Sequence, residues 1–193
     1  PQRGPAKSRP VIDPNAYGVV YAVGDVHGCV TELKALEARI VEDASARPGR
    51  KLIVMLGDYV DRGPHSAQVL DHLIAPPPEG FDRISLCGNH DELFLQYLLD
   101  PWTNDGWVTR MGGDDALISY GIDARHVLEI GGLAALAEVV EAEVPAAHLE
   151  FLRQLSSCVR IGDVVFAHAG LRPGIAIEAQ DEQDLIWIRE PFL

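Results

Sequence analysis

Leu52-Ile53-Val54-Met55-Leu56 runs directly into Gly57-Asp58-Tyr59-Val60-Asp61-Arg62-Gly63. The stretch 51–56, apolar after its first residue, reads as a strand covered on both faces. The polar cluster that follows it, bracketed by glycines, sits where such a strand must turn. One run of this kind means little, because strands often end in Gly-Asp turns. The same pattern recurs three times, however. Val19-Val20-Tyr21-Ala22-Val23 precedes Gly24-Asp25-Val26-His27-Gly28, Ile84-Ser85-Leu86-Cys87 precedes Gly88-Asn89-His90-Asp91, and Val164-Val165-Phe166-Ala167 precedes His168-Ala169-Gly170. Four strand tips carrying oxygen and imidazole groups are what an α/β sheet uses to build an active site. The pattern predicts an α/β metalloenzyme.

Working outward, helical segments fall between the strands. Leu33, Leu36 and Ile40 give an apolar face that ends at Pro48-Gly49; 66–74 reads as a helix stopped by Pro76-Pro77-Pro78; 91–99 reads as a third. Residues 100–132 differ, with Gly106, Gly112, Gly113, Gly121, Gly131 and Gly132 breaking up any long element, and are expected to be a loop-rich insertion that shapes access to the site. Helices resume over 133–142 and from Pro145 to Leu155. Residues 1–14 are expected to be a disordered lead-in and 15–193 one domain. His72 and His148 fall in helical segments and are expected at the surface.

The chain has 193 residues, 47% of them hydrophobic, which suffices for one substantial core. Twenty-nine acidic residues against 16 basic ones give a net charge of -13 and argue against a nucleic-acid partner. An anionic substrate stays compatible with this, because bound divalent cations reverse a local field. The cysteines, Cys29, Cys87 and Cys158, lack metal or disulfide spacing and read as reduced thiols in the cytoplasm. No apolar run approaches the roughly 20 residues that span a membrane.

The clusters suit metal chemistry. Asp25 and His27, two apart in an extended segment, project to one side and can reach one ion. Asp58 offers a carboxylate that can bridge two ions, Asn89 an amide oxygen, and His168 an imidazole nitrogen. Such a set, free of thiolate, fits two divalent ions, with manganese the leading choice and iron or zinc next. A pair roughly 3.5–4 Å apart would clamp a phosphate and lower the pKa of a bridging water to give hydroxide. Arg62 is a planar donor for phosphate oxygens, His90 a proton donor for the departing oxygen, and Asp61 the carboxylate that orients it.

These motifs, together with His168-Ala169-Gly170-Leu171-Arg172-Pro173, closely resemble the signatures of the PPP family of metallophosphoesterases. That family includes serine/threonine protein phosphatases and bacterial symmetrical diadenosine-tetraphosphatases. The resemblance implies a β-sandwich flanked by helices in four layers. It implies that Asp25 and His27 bind the first metal, Asp58 bridges, and Asn89 and His168 bind the second. His90 with Asp61 would be the acid pair and Arg62 would grip phosphate, so His90 and Arg62 would touch substrate. A further family histidine and a second phosphate-binding arginine, both expected downstream, have no clear match before Leu193, so a C-terminal piece of the domain is expected to be missing.

Asp61 directs the first functional expectation, because the tetraphosphatase branch commonly carries Ala-Arg-Gly where this chain has Asp61-Arg62-Gly63. The leading expectation is hydrolysis of phosphoserine or phosphothreonine in proteins. The alternative is a symmetrical dinucleoside polyphosphate hydrolase, with Trp102 or Trp107 stacking on adenine. A non-catalytic phosphate-binding protein with a degenerate site is the third. Expected partners are a phosphorylated protein or a small phosphoester, with neither nucleic acid nor membrane.

Overall fold

Period-two alternation sends Leu52 and Val54 of strand β3 (Lys51–Met55) to one face and Ile53 and Met55 to the other, and all four are buried. A strand buried on both sides must be central. In the computed structural model, which describes residues 6–102 and 106–192, β3 is the middle of a parallel sheet between β2 (Val19–Val23) and β4 (Phe81–Ser85). The register sets Val23, Met55 and Ser85 level, so the chain leaves all three strands at one edge.

A second sheet has the order β1 (Val11–Ile12), β5 (Cys158–Ile161), β6 (Val164–Ala167), with β1 parallel and β6 antiparallel to β5. Leu52, Val54 and Leu86 pack with Val159 and Ile161 between the sheets, which makes the sandwich. On the other face, Ile53 and Met55 share a larger core with Leu33 and Ile40 of α1 (Val30–Ala44), Val69, Leu70 and Leu73 of α2 (Ser66–Ile74) and Phe94 of α3 (Asn89–Leu99). The helix-flanked sandwich is therefore the observed architecture.

The two sheets are joined beside the future site. Ser156 N–H donates to Ser85 O (3.1 Å) and Cys87 N–H to Ser156 O (2.8 Å), forming a parallel bridge. Because Cys158 pairs with Ala167, this join carries the end of β6, and His168 after it, to the edge where β2, β3 and β4 end.

Three expectations change. Of the lead-in, residues 1–5 lie outside the described residues, but Val11–Ile12 form β1, and Arg160 N–H donates to Pro10 O (2.9 Å). The exposed side of β5 has backbone donors that need partners, and residues 8–12 supply them. The insertion is also more regular than a loop: α4 (Gly106–Arg110), α5 (Gly113–Ile118) and α6 (Ala124–Glu143) occupy it. Its glycines sit at the joints, most clearly Gly132, whose φ of 68° and ψ of -167° kink α6. Helices α7 (Ala146–Gln154) and α8 (Glu182–Trp187) complete the α-helices among the described residues. Finally, His148 is buried, bonded to Tyr120 Oη (2.8 Å) and Asp71 Oδ1 (3.0 Å), and His72 is mostly buried against Glu37 (2.8 Å). Helical spacing alone did not reveal that α2 and α7 meet along the faces that carry Asp71 and His148. Among the described residues no helix is long and apolar enough to cross a membrane.

Candidate active site

The strand-end loops lock into one another through backbone. Val26 and His27 N–H both donate to Asp58 O (3.0 and 2.9 Å), and Gly28 N–H donates to Tyr59 O (2.9 Å). The approach is so close that a Cβ on Gly63 would lie 2.1 Å from His27 O. Among the described residues, the non-glycines with positive φ are His27 (42°), Asp58 (55°), Asp61 (70°) and Arg62 (65°). Each such conformation costs about 1–3 kcal/mol and persists only where its surroundings impose it. All four are site residues.

The candidate ligands assemble around Asp58. Its Oδ2 is 3.4 Å from His27 Nε2 and its Oδ1 is 3.5 Å from His168 Nε2, so one carboxylate faces two imidazoles. Asp25 Oδ2 lies 4.0 Å from His27 Nε2. Ligand atoms of Asp25, Asp58 and His168 fall within 4.8 Å of one another, as do those of His27, Asp58 and His90.

The imidazoles show that a cation fits. His27 Nδ1 donates to Val60 O (2.8 Å), which leaves Nε2 as a lone pair that is buried without a hydrogen-bond partner. A neutral ring has a single N–H, yet His168 meets oxygens at both nitrogens, Leu56 O at 2.9 Å and Asn89 Oδ1 at 3.1 Å. Either neutral tautomer sets two lone pairs against each other. A divalent ion at Nε2 would resolve the conflict, with Asn89 Oδ1 and Asp58 placed to be its further ligands. Backbone carbonyls on Nδ1 are the usual device for aiming a ligating Nε2.

Beside the ligands, Asp61 and His90 form a buried pair: His90 Nδ1–H donates to Asp61 Oδ2 at 2.7 Å. Burial drives the Asp61 carboxyl above its ordinary value, opposed by hydrogen bonds from His90 and Trp107. For His90, burial works against the charged ring, but the Asp61 hydrogen bond and the charges of Asp58 and Asp61 outweigh it and raise the pKa. Arg62 Nη2 lies 3.0 Å from His90 Nε2 and donates to it, so the ring is neutral in this arrangement.

Asp91 had a place in the motif but no role in the sequence reading. Fully buried, it accepts backbone N–H groups from Asp58 (2.7 Å), Tyr59 (2.8 Å) and Gly88 (2.9 Å), which ties the loop after β3 to the start of α3. Burial and the Asp58 charge push its carboxyl up to about 7 against those three donors. The available signal was its position, the third residue of a helix, where an acid reaches back to the cap.

The site opens into a cleft of about 310 Å³ whose further walls include Arg62, Met111, Trp187 and Arg189. Arg189 is thus a second cation beside the ligands, where the sequence reading found no match for a second arginine. Trp187 donates Nε1–H to Glu92 (2.7 Å). The expected stacking tryptophans are elsewhere: Trp107 is fully buried, and Trp102 is exposed and does not line the cleft.

A family model described as calcineurin-like phosphoesterase matches residues 18–190, spanning all of these loops. The chain belongs to the calcineurin-like phosphoesterase family. Among curated relatives of this phosphoesterase, the symmetrical bis(5'-nucleosyl)-tetraphosphatase of Dechloromonas aromatica is 29% identical over 79% of this chain and 44% of the relative. The asymmetrical bis(5'-nucleosyl)-tetraphosphatase PrpE of Halalkalibacterium halodurans is 27% identical over 78% of this chain and 56% of the relative. A crystal structure provisionally described as a diadenosine tetraphosphatase superposes with a TM-score of 0.56 at 28% identity, covering 92% of this chain and 62% of the other. The phosphoesterase chain spans about half the length of the curated relatives it matches.

Proposed function

We propose that this phosphoesterase hydrolyses dinucleoside polyphosphates with two divalent ions, manganese first among the candidates. The observation that carries the proposal is the presence of both Arg62 and Arg189 in the cleft lined by Asp25, Asp58, Asn89 and His168. Two guanidiniums suit a chain of several phosphates, because each can hold a pair of phosphate oxygens in its planar fork. The tetraphosphatase relatives support the same substrate class.

In this reading Asp25, His27 and Asp58 hold one ion, and Asp58, Asn89 and His168 hold the other. The ions would supply an activated water and neutralise phosphate charge. The protein supplies the rest. Arg62 leaves His90 Nε2 for a phosphate oxygen, which frees that nitrogen to carry a proton. As the bond from phosphorus to the leaving oxygen breaks, its electron pair stays on that oxygen, and His90 Nε2–H delivers the proton. Nδ1–H remains on Asp61, so the ring is held throughout. A cytoplasmic setting accords with the three free cysteines.

The test is manganese-dependent hydrolysis of diadenosine tetraphosphate against a phosphoserine peptide, with nucleotide products resolved by chromatography. Preference for the dinucleotide is expected; two ADP would mark symmetrical cleavage, and ATP with AMP asymmetrical cleavage. Preference for the peptide would return the assignment to a protein phosphatase.

A further inference from the structure

Trp107 stands in the helical insertion, outside the four strand-end motifs, yet its indole N–H reaches the catalytic pair. Nε1–H donates to Asp61 Oδ2 at 2.8 Å, the same oxygen that accepts from His90 Nδ1 at 2.7 Å, while Asp61 Oδ1 is buried without a partner. Its backbone is held as well: Asp61 N–H donates to Ser66 Oγ (3.1 Å), and Asp61 O accepts Gly63 N–H (2.7 Å). Two donors therefore converge on one oxygen and set the direction in which it faces His90.

The indole itself is held firmly. Its ring stacks on Phe94 (4.9 Å between centroids, 20° between planes) and lies 5.0 Å from Tyr97; both are fully buried residues of α3. A Cβ on Gly113 would come within 2.6 Å of the indole, so only glycine leaves room for it there. Helix α3 also begins with Asn89 and His90. The same helix thus clamps the indole at Phe94 and Tyr97 and presents the imidazole at its first turn.

We infer that Trp107 is a positioning residue for proton transfer: its N–H fixes the Asp61 carboxylate that orients His90. The role rests on the phosphoesterase reading for its chemistry but on geometry alone for the contact. An insertion helix would then act on the leaving-group proton without touching substrate. Core packing by itself calls for no indole N–H, since phenylalanine would fill most of the same volume with the same stacking partners.

The experiment uses metal-free protein for nuclear magnetic resonance and manganese-loaded protein for kinetics. In the wild type, the Trp107 indole proton is expected to resonate downfield of the exposed Trp102 and to exchange slowly; in Asp61→Asn it moves upfield. In Trp107→Phe, the His90 Nδ1–H resonance is expected to move and to exchange faster. An indole proton that ignores Asp61→Asn, or a His90 proton that ignores Trp107→Phe, overturns the inference. Kinetically, Trp107→Phe should lower kcat about 10-fold with KM held within about twofold on phenyl phosphate, whose leaving oxygen needs a proton, with a smaller loss on diadenosine tetraphosphate, whose nucleotide leaving group is stable as an anion. In an Asp61→Asn background the Trp107→Phe loss should vanish; losses that multiply would show mere packing and overturn it. If wild-type protein cleaves neither substrate, the functional proposal fails while the resonances still decide the role of Trp107.

Discussion

Asp58 offers one carboxylate oxygen to each of two imidazoles, at 3.4 and 3.5 Å, and Oδ1 also accepts His90 N–H at 3.0 Å. Asp58→Asn keeps the shape and removes the charge that two cations would share. Manganese content measured by mass spectrometry is expected to fall below one ion per chain, and turnover by more than about 100-fold, since even indirect supports of metal ligands are worth 10–100-fold; full metal content would refute the bridging role. Arg189→Ala should raise KM for diadenosine tetraphosphate about tenfold, the loss of one charge-assisted contact of about 1.5 kcal/mol. It should alter KM for p-nitrophenyl phosphate less; equal losses on both would deny it a grip on the distal phosphates. Asp91→Ala strands three buried backbone N–H groups. An unfolding free energy lower by about 3–5 kcal/mol in urea is expected, because each buried donor left without a partner costs about 1–3 kcal/mol. At this scale the sequence was informative about Asp25, His27, Asp58, Asn89, His90 and His168, because metal ligands are chemically rare and each stood at a turn. It was silent on Asp91 and Arg189, whose meaning comes from neighbours distant in the chain.

Elements carry the site by meeting at backbone distance. Glycine 63 passes so near His27 O that a Cβ would stand at 2.1 Å, and Gly88 admits the Asp58 carboxylate at a similar separation. Side chains there would push apart the loops after β2, β3 and β4. The kink in α6 is a separate matter of conformation. Gly132 combines φ 68° with ψ -167°, a region that is nearly exclusive to glycine, although nothing would clash with an added Cβ. Gly132→Ala is therefore expected to cost about 1–3 kcal/mol through backbone strain alone, read as a lower urea midpoint with an unchanged m-value. Stability unaffected by the substitution would show that α6 straightens without cost. Strands 19–23 and 51–55 and helix 66–74 were readable because periodicity and flanking Gly or Pro agree there. The insertion was misread as loop because glycines at helix joints and glycines in a loop look alike in one dimension.

Across the whole molecule, a net charge of -13 surrounds a site with carboxylates and lone pairs directed inward. Ions that bind only the folded state add about 2.7 kcal/mol at 100 times their dissociation constant. Manganese should accordingly raise the melting temperature of the wild type, chelator should reverse the rise, and Asp58→Asn should abolish it; a shift that survives in the variant would place the ions elsewhere. The sequence by itself determined the α/β class, the strands of the central sheet and the identity of most candidate ligands, since hydrophobic period, turn residues and metal-binding side chains are local properties. Only the tertiary structure decided that β1 pairs with β5, that the β4–β5 join brings His168 to Asp58, that Arg189 lines the cleft, and that Trp107 holds Asp61 in place of a nucleobase. Those contacts join residues dozens of positions apart, and no spacing along a chain encodes which two distant surfaces will meet. The run from Leu52 to Gly63 named its chemistry at once; the fold chose its companions.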